Sequence, residues 1–109
     1  MDIDVIFDPT CPWCYIGKRR LEEALALRPK SQAALRWRPF LLNPEIPPEG
    51  IERNTYLINK FGSEARMSRV YGAIKEAGQS VAIDFDFDHI RSTPNTLNAH
   101  RLVHYSSSY

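Results

Sequence analysis

Two cysteines, Cys11 and Cys14, are the only thiols in the chain, and they stand three positions apart in Cys11-Pro12-Trp13-Cys14. One helical turn spans that distance, so on a helix both sulfurs share a face and can bridge without backbone movement. Thiol–disulfide exchange needs such a pair, one thiolate to attack and a second sulfur to resolve. A free cysteine with a pKa near ~8.5 is mostly protonated at neutral pH. A helix N-terminus changes this, because its unpaired N–H groups and dipole place roughly half a positive charge beside any anion there. Pro12 suits the first helical position, where its missing N–H is one that no helix uses. Cys11 is therefore expected at the N-cap, its sulfur facing the amides of Trp13 and Cys14. In related dithiols such a setting brings the attacking cysteine to about 3.5–7.5. Cys11 is the expected nucleophile and lies at the exposed tip. Cys14 is the expected resolving thiol, turned inward on a stripe with Gly17, Leu21, Ala24 and Leu25. Pro12 and Trp13 are the residues expected to tune redox poise, through backbone rigidity and local polarity.

Two other chemistries use the same residues. A Cys-x-x-Cys pair opens many zinc sites, and His100 and His104 stand four apart like a second half. The segment between them is far longer than the ~12 to 15 residues of a finger, so the histidines read as residues of a half-exposed helix face and no metal is expected. Two buried structural thiols are the other alternative, and the strand before and helix after the motif argue against it. Asp8, ahead of Pro9, is read as a turn former in preference to a proton carrier for the cysteines.

The elements that must hold the motif follow from pattern. Ile3 to Phe7 is short and β-branched and reads as a buried strand. Pro12 to about Leu27 reads as a helix, with Lys18–Glu22 and Arg19–Glu23 at ion-pair spacing and Pro29 beyond its end. Ala34 to Phe40 alternates, with Leu35 and Trp37 on one face, and reads as a second strand. A strand–helix–strand unit of this length implies a parallel, right-handed crossover, whose C-terminal strand edge is where ligands collect.

Leu41 to Gly50 is a proline-rich connector, and a subdomain boundary is expected there. Asn54 to Phe61 reads as a short helix ending at Gly62. Ser63 then caps a longer one over 64–77, with Met67, Val70, Tyr71 and Ile74 on its stripe and Gly78 as its stop. Ile83 to Asp88 alternates strictly and reads as an extended surface segment with its aromatics inward. Its three aspartates lack the glycine and glutamate that a calcium loop requires. Thr93-Pro94-Asn95-Thr96 reads as a helix start, Leu97 to Tyr105 as the helix, and 106–109 as a frayed tail.

The totals exclude several classes. Fourteen basic against thirteen acidic residues leave a net charge of +1, which gives no reason to invoke nucleic acid or an anionic membrane. No apolar run approaches the ~18 residues of a membrane span, and no signal peptide is evident. With only two cysteines in that context, a cytoplasmic location is expected.

Together, Cys11-Pro12-Trp13-Cys14-Tyr15-Ile16-Gly17-Lys18, Trp37-Arg38-Pro39-Phe40, Asn43-Pro44, Pro47-Pro48-Glu49-Gly50, Thr93-Pro94-Asn95-Thr96 and Ala99-His100-Arg101-Leu102 resemble the DsbA-like thioredoxin family. The branch most similar is the FrnE-like one, related to 2-hydroxychromene-2-carboxylate isomerases and kappa-class glutathione transferases. The resemblance implies an α/β, thioredoxin-like fold, a strand–helix–strand with parallel sheet and an α-helical insertion, incomplete at the C-terminus. Residues 1–42 would be the N-terminal part of the thioredoxin-like domain and 43–109 a partial helical insertion. Family members run to about twice this length, and their second half carries a cis-proline loop facing the disulfide. Carried over by position, Cys11 is the nucleophile and Cys14 the resolving cysteine. The isomerase and transferase relatives typically have serine where Cys11 stands.

The implied activity is thiol–disulfide exchange with protein or small-molecule thiols and disulfides. No cofactor is implied, with glutathione a candidate redox partner, and an oligomer could cover the exposed sheet edge. The rival readings are a glutathione-dependent isomerase or transferase, and a catalytically silent fragment or interaction module.

Overall fold

The computed structural model describes residues 1–107. They form two compact units, one made of residues 1–42 with the segment from Thr96 onward, the other Asn43–Asn95. The family resemblance implies one helical insertion over 43–109, and the C-terminal helix departs from that. Its N-cap Thr96 donates to the Asp8 carboxylate and its His100 ring packs on Phe7, which fixes it to the unit that carries the cysteines.

In the first unit, strand β1 (Asp2–Phe7) and strand β2 (Ala34–Pro39) pair in parallel, with Val5 opposite Trp37 and Phe7 opposite Pro39. Helix α1 (Pro12–Ala26) makes the crossover between them. Burial alternates along β1, as a period of two requires, with Ile3, Val5 and Phe7 half-buried on one face. Leu35 and Trp37 line the same kind of face on β2, and the Phe7 and Trp37 rings meet edge to face at 5.5 Å. The opposite face is polar and exposed, where Arg36 Nε donates to Asp4 Oδ1 at 2.8 Å. Ile6 lies on that face and is 68% exposed.

On α1 the inward residues differ in part from the expected stripe. Ile16 is the buried residue of the helix, Cys14, Leu21 and Leu25 are half-buried, and Gly17 and Ala24 are exposed. Gly17 has nothing within 4 Å of where a Cβ would stand, because it borders an open groove beside β1. Helix α4 (Leu97–Ser106) completes the unit. Of the tail expected to fray, Ser106 closes that helix, and residues 108–109 lie outside the described ones.

The second unit holds α2 (Arg53–Phe61) and α3 (Glu64–Gln79) around a cluster of Ile46, Tyr56 and Leu57, flanked by Ile51, Phe61, Met67 and Tyr71. Gly62 caps α2 in the left-handed region at φ 78, and the Ser63 hydroxyl accepts the Arg66 amide at the start of α3. Gly78 does not stop α3. It is buried inside the helix, and a Cβ there would stand 2.7 Å from the Phe85 ring. Along 81–88 burial alternates, with Val81 and Ile83 buried and Phe85 and Phe87 half-buried and stacked at 5.0 Å. One element escapes the pattern. Strands β3 (Ile51–Glu52) and β4 (Ser92–Thr93) form a two-residue antiparallel ladder. Gly50, at φ 82, lets the chain pass the ladder, since a Cβ would stand 2.9 Å from Ser92 Oγ. Glu52 then caps α2 by accepting the amides of Asn54 and Thr55.

Candidate active site

The chain leaves β1 at Phe7 and enters α1 at Pro12, so four residues make the turn that presents the cysteines. Asp8 builds it. Its Oδ1 accepts the Thr10 amide at 2.8 Å and the Thr10 hydroxyl at 2.7 Å, and its backbone carbonyl accepts the Cys11 amide at 3.0 Å. Its Oδ2 accepts the Leu42 amide and the Thr96 hydroxyl, both at 2.9 Å. Asp8 is thus a turn former, and also the point where three separate stretches of one unit converge. It is 2% exposed. Burial pushes its carboxyl up, and the hydrogen bonds from Leu42, Thr10 and Thr96 outweigh that, holding it below its ordinary value of 3.8.

Cys11 occupies the N-cap with extended backbone (φ −88, ψ 110), and Pro12 takes the first helical position. The expected bond from the helix amides to the Cys11 side chain is not made. The Cys14 amide is taken at 3.0 Å by the Cys11 backbone carbonyl. Both cysteines are free thiols and both are half-buried, so no contrast of tip and interior separates them. They differ in electrostatics. Burial raises the Cys14 thiol above its ordinary value against a hydrogen bond from the Asp8 backbone. The Cys11 side chain and the Asp8 charge push it the same way as burial. Trp13 is 48% exposed.

A groove of about 350 Å³ runs past both sulfurs, walled by Phe7, Pro9, Tyr15, Trp37 and Val103. Lys18 is its cation, and it is paired with Glu22 at 2.6 Å. A second groove, about 340 Å³, reaches Cys14 from the side of Ile6, Trp13 and Leu21. The dithiol therefore lies among apolar walls, with the buried Asp8 carboxylate beside it.

His100 and His104 do not join the cysteines. His100 is 5% exposed, not half-exposed, because its ring is packed on Phe7 and its Nε2 donates to the Phe40 carbonyl at 3.0 Å. Its Nδ1 is buried without a partner, and its Nε2 lies 4.0 Å from Asp8 Oδ2. His104 is exposed. Among the described residues no group of three or more His, Cys, Asp or Glu side chains comes together to hold a metal ion. Sequence reasoning missed the parts of Thr96 and Leu42 in the site. Thr96 carried only a weak signal, a hydroxyl at a helix start.

A parallel strand–helix–strand with a Cys-x-x-Cys pair opening the helix defines a thioredoxin-like class of domain. The DSBA-like thioredoxin domain family matches residues 2–108, and the chain belongs to that family. It is similar in fold to the crystal structure of a probable DsbA oxidoreductase, SCO1869, from Streptomyces coelicolor. The TM-score is 0.85 and the identity 26%, covering 99% of this chain and 47% of that one. It is also 22% identical over 107 residues to the uncharacterized protein YwbO of Bacillus subtilis (strain 168), covering 98% of this chain and 48% of that protein. The chain thus spans about half the length of these relatives. Among the described residues no helix is long and apolar enough to cross a membrane.

Proposed function

We propose that the protein is a thiol–disulfide oxidoreductase of the DsbA/FrnE type, exchanging disulfides through Cys11 and Cys14. What supports this most directly is the placing of the pair. Cys11 stands at the N-cap, Cys14 lies within the first helical turn, and both border one apolar groove.

In the proposed reaction the Cys11 thiolate attacks one sulfur of a substrate disulfide. A Cys11–substrate bond forms, the substrate S–S bond breaks, and the other substrate sulfur leaves as thiolate. Cys14 then gives up its proton and attacks the Cys11 sulfur. The Cys11–Cys14 bond forms, the mixed disulfide breaks, and the substrate leaves with both thiols reduced. Run backward, the same steps oxidise a dithiol. The elevated proton affinity of Cys14 suits this order, since Cys14 stays a thiol until its turn. Pro12 and Trp13, between the sulfurs, are the proposed tuning residues. Glutathione is the proposed small-molecule redox partner, no bound cofactor takes part, and the cytoplasm is the proposed compartment.

The test is the equilibrium of the protein with reduced and oxidised glutathione, read by mass after acid quench and alkylation. The expected result is a two-electron transition to a species two hydrogens lighter, with both cysteines protected. A pair that stays reduced, or forms only glutathione adducts across the whole buffer range, would overturn the reading.

A further inference from the structure

We propose that Asp8 is the positioning residue of the Cys11–Cys14 pair, an ionised carboxylate that knots three chain segments under the turn and sets a fixed negative charge beside Cys14. The proposal rests on the reading of Cys11 and Cys14 as the exchanging dithiol, and it concerns a residue that takes no proton in that exchange.

The geometry argues for position over proton transfer. A carboxylate that carries a proton needs a free lone pair facing the donor. Both oxygens of Asp8 are already engaged, Oδ1 by the amide and hydroxyl of Thr10, Oδ2 by the Leu42 amide and the Thr96 hydroxyl. Protonating Asp8 would turn an O–H donor toward these donors and strand at least one of them in a buried site. The same bonds hold its carboxyl below the usual carboxylate range in spite of its burial.

Asp8 is nonetheless coupled to the sulfurs. Its carbonyl holds the Cys11 amide at 3.0 Å, it lines one groove with both cysteines, and its charge opposes the Cys14 thiolate. The other polar and charged groups that face it are the His100 ring at 4.0 Å and, across the shared groove, Lys18, which is engaged by Glu22. The knot thus does two things. It fixes the height from which Cys11 springs, and its charge adds to the burial that holds the Cys14 proton.

The decisive experiment compares wild type, Asp8→Asn and Thr96→Val. Cys14 titration is followed by the pH dependence of its alkylation with Cys11 replaced by serine in each background. The expected result is that Asp8→Asn moves the Cys14 midpoint to lower pH. Thr96→Val, which loosens the knot and keeps the charge, should leave that midpoint in place while lowering the unfolding midpoint. An unchanged midpoint in Asp8→Asn, or an equal shift in Thr96→Val, would overturn the proposal.

Should Asp8→Asn not fold, the carboxyl carbon-13 resonance of Asp8 in the wild-type protein decides. It should stay flat through the pH range in which Cys14 titrates, and a full protonation step in that range would make Asp8 a proton carrier instead. These readouts need no turnover. A protein that fails the glutathione equilibrium can still pass them, and the two readings fail separately.

Discussion

The hydroxyl of Thr96 donates to the Asp8 carboxylate at 2.9 Å across 88 positions of sequence. The helix start at Thr96 lacks a side-chain cap bond, its backbone standing at φ −97 and ψ 6 instead of extended and its hydroxyl turned toward Asp8. Capping would use the Thr96 oxygen as an acceptor and the knot uses its O–H as a donor, so the two compete for one side-chain orientation, which the charge-assisted bond, about twice as strong as a neutral one, sets.

Thr96→Val should therefore destabilise the unit that carries the cysteines. Valine matches the shape and removes only the donor. A hydrogen bond to a charged group contributes about 1.5–3 kcal/mol, and the low end is expected because Oδ2 keeps the Leu42 amide. Trp13 and Trp37, both in this unit, are the only tryptophans in the chain. Urea unfolding followed by tryptophan fluorescence should show the loss as a lower midpoint. A midpoint equal to wild type would mean the bond adds nothing to the fold.

Acid should weaken the same unit through Asp8. A carboxyl held below its ordinary value in the folded state gives stability that is fully present above the unfolded value. That stability is lost as pH falls through the folded value, so the window lies below about pH 4. The fluorescence-detected urea midpoint should hold from neutral pH to about 5 and then fall, and Asp8→Asn should flatten the fall. A wild-type profile that stays level down to about pH 2.5 would mean that ionised Asp8 does not stabilise the fold.

Gly78→Ala separates a helix stop from a close approach. As a stop, Gly78 would tolerate or welcome alanine. Inside α3, with the Phe85 ring 2.7 Å from the new Cβ and the Ile83 carbonyl 3.2 Å away, alanine must displace the ring. Overpacking of this kind costs about 1–3 kcal/mol, against up to ~1 kcal/mol gained in helix propensity. The net expectation is a loss on the order of 1 kcal/mol, read from the helical signal at 222 nm during urea unfolding. A gain in stability would sink the close-approach account.

What the chain reveals before folding is uneven for a physical reason. Strand β1, helix α1 and strand β2 are legible because their signals are local, a β-branched run, a proline at N1 and a period of two. The end of α2 at Gly62 and the start of α3 at Ser63 are legible for the same reason. The ladder of Ile51–Glu52 with Ser92–Thr93 is two residues long, too short to show a period. Gly78 misleads because a glycine late in a helix looks alike whether it ends the helix or admits a ring. The engagement of Asp8 by Leu42 and Thr96, and the burial of His100 against Phe7 and Phe40, are set by contacts distant in sequence. A single sequence read in windows contains no trace of them. The thiols of the candidate site were legible, and the knot that supports them was not.

The two sulfurs should also differ in reactivity, in an order the structure dictates. Cys14 holds its proton more tightly than an ordinary thiol, by burial first, with the Cys11 side chain and the Asp8 charge adding to it against the Asp8 backbone. The thiolate is the form that alkylates. Iodoacetamide in limiting amount at pH 7 should therefore mark Cys11 before Cys14, resolved by peptide mass. Under the proposed exchange the two serine variants then behave differently. Cys11→Ser should lose disulfide exchange. Cys14→Ser should attack a substrate disulfide and stop there, with the partner still bound through Cys11, because no second sulfur remains to displace it. If Cys14 alkylates first, or if Cys14→Ser releases its partner as fast as wild type, the roles of attacker and resolver are assigned to the wrong cysteines.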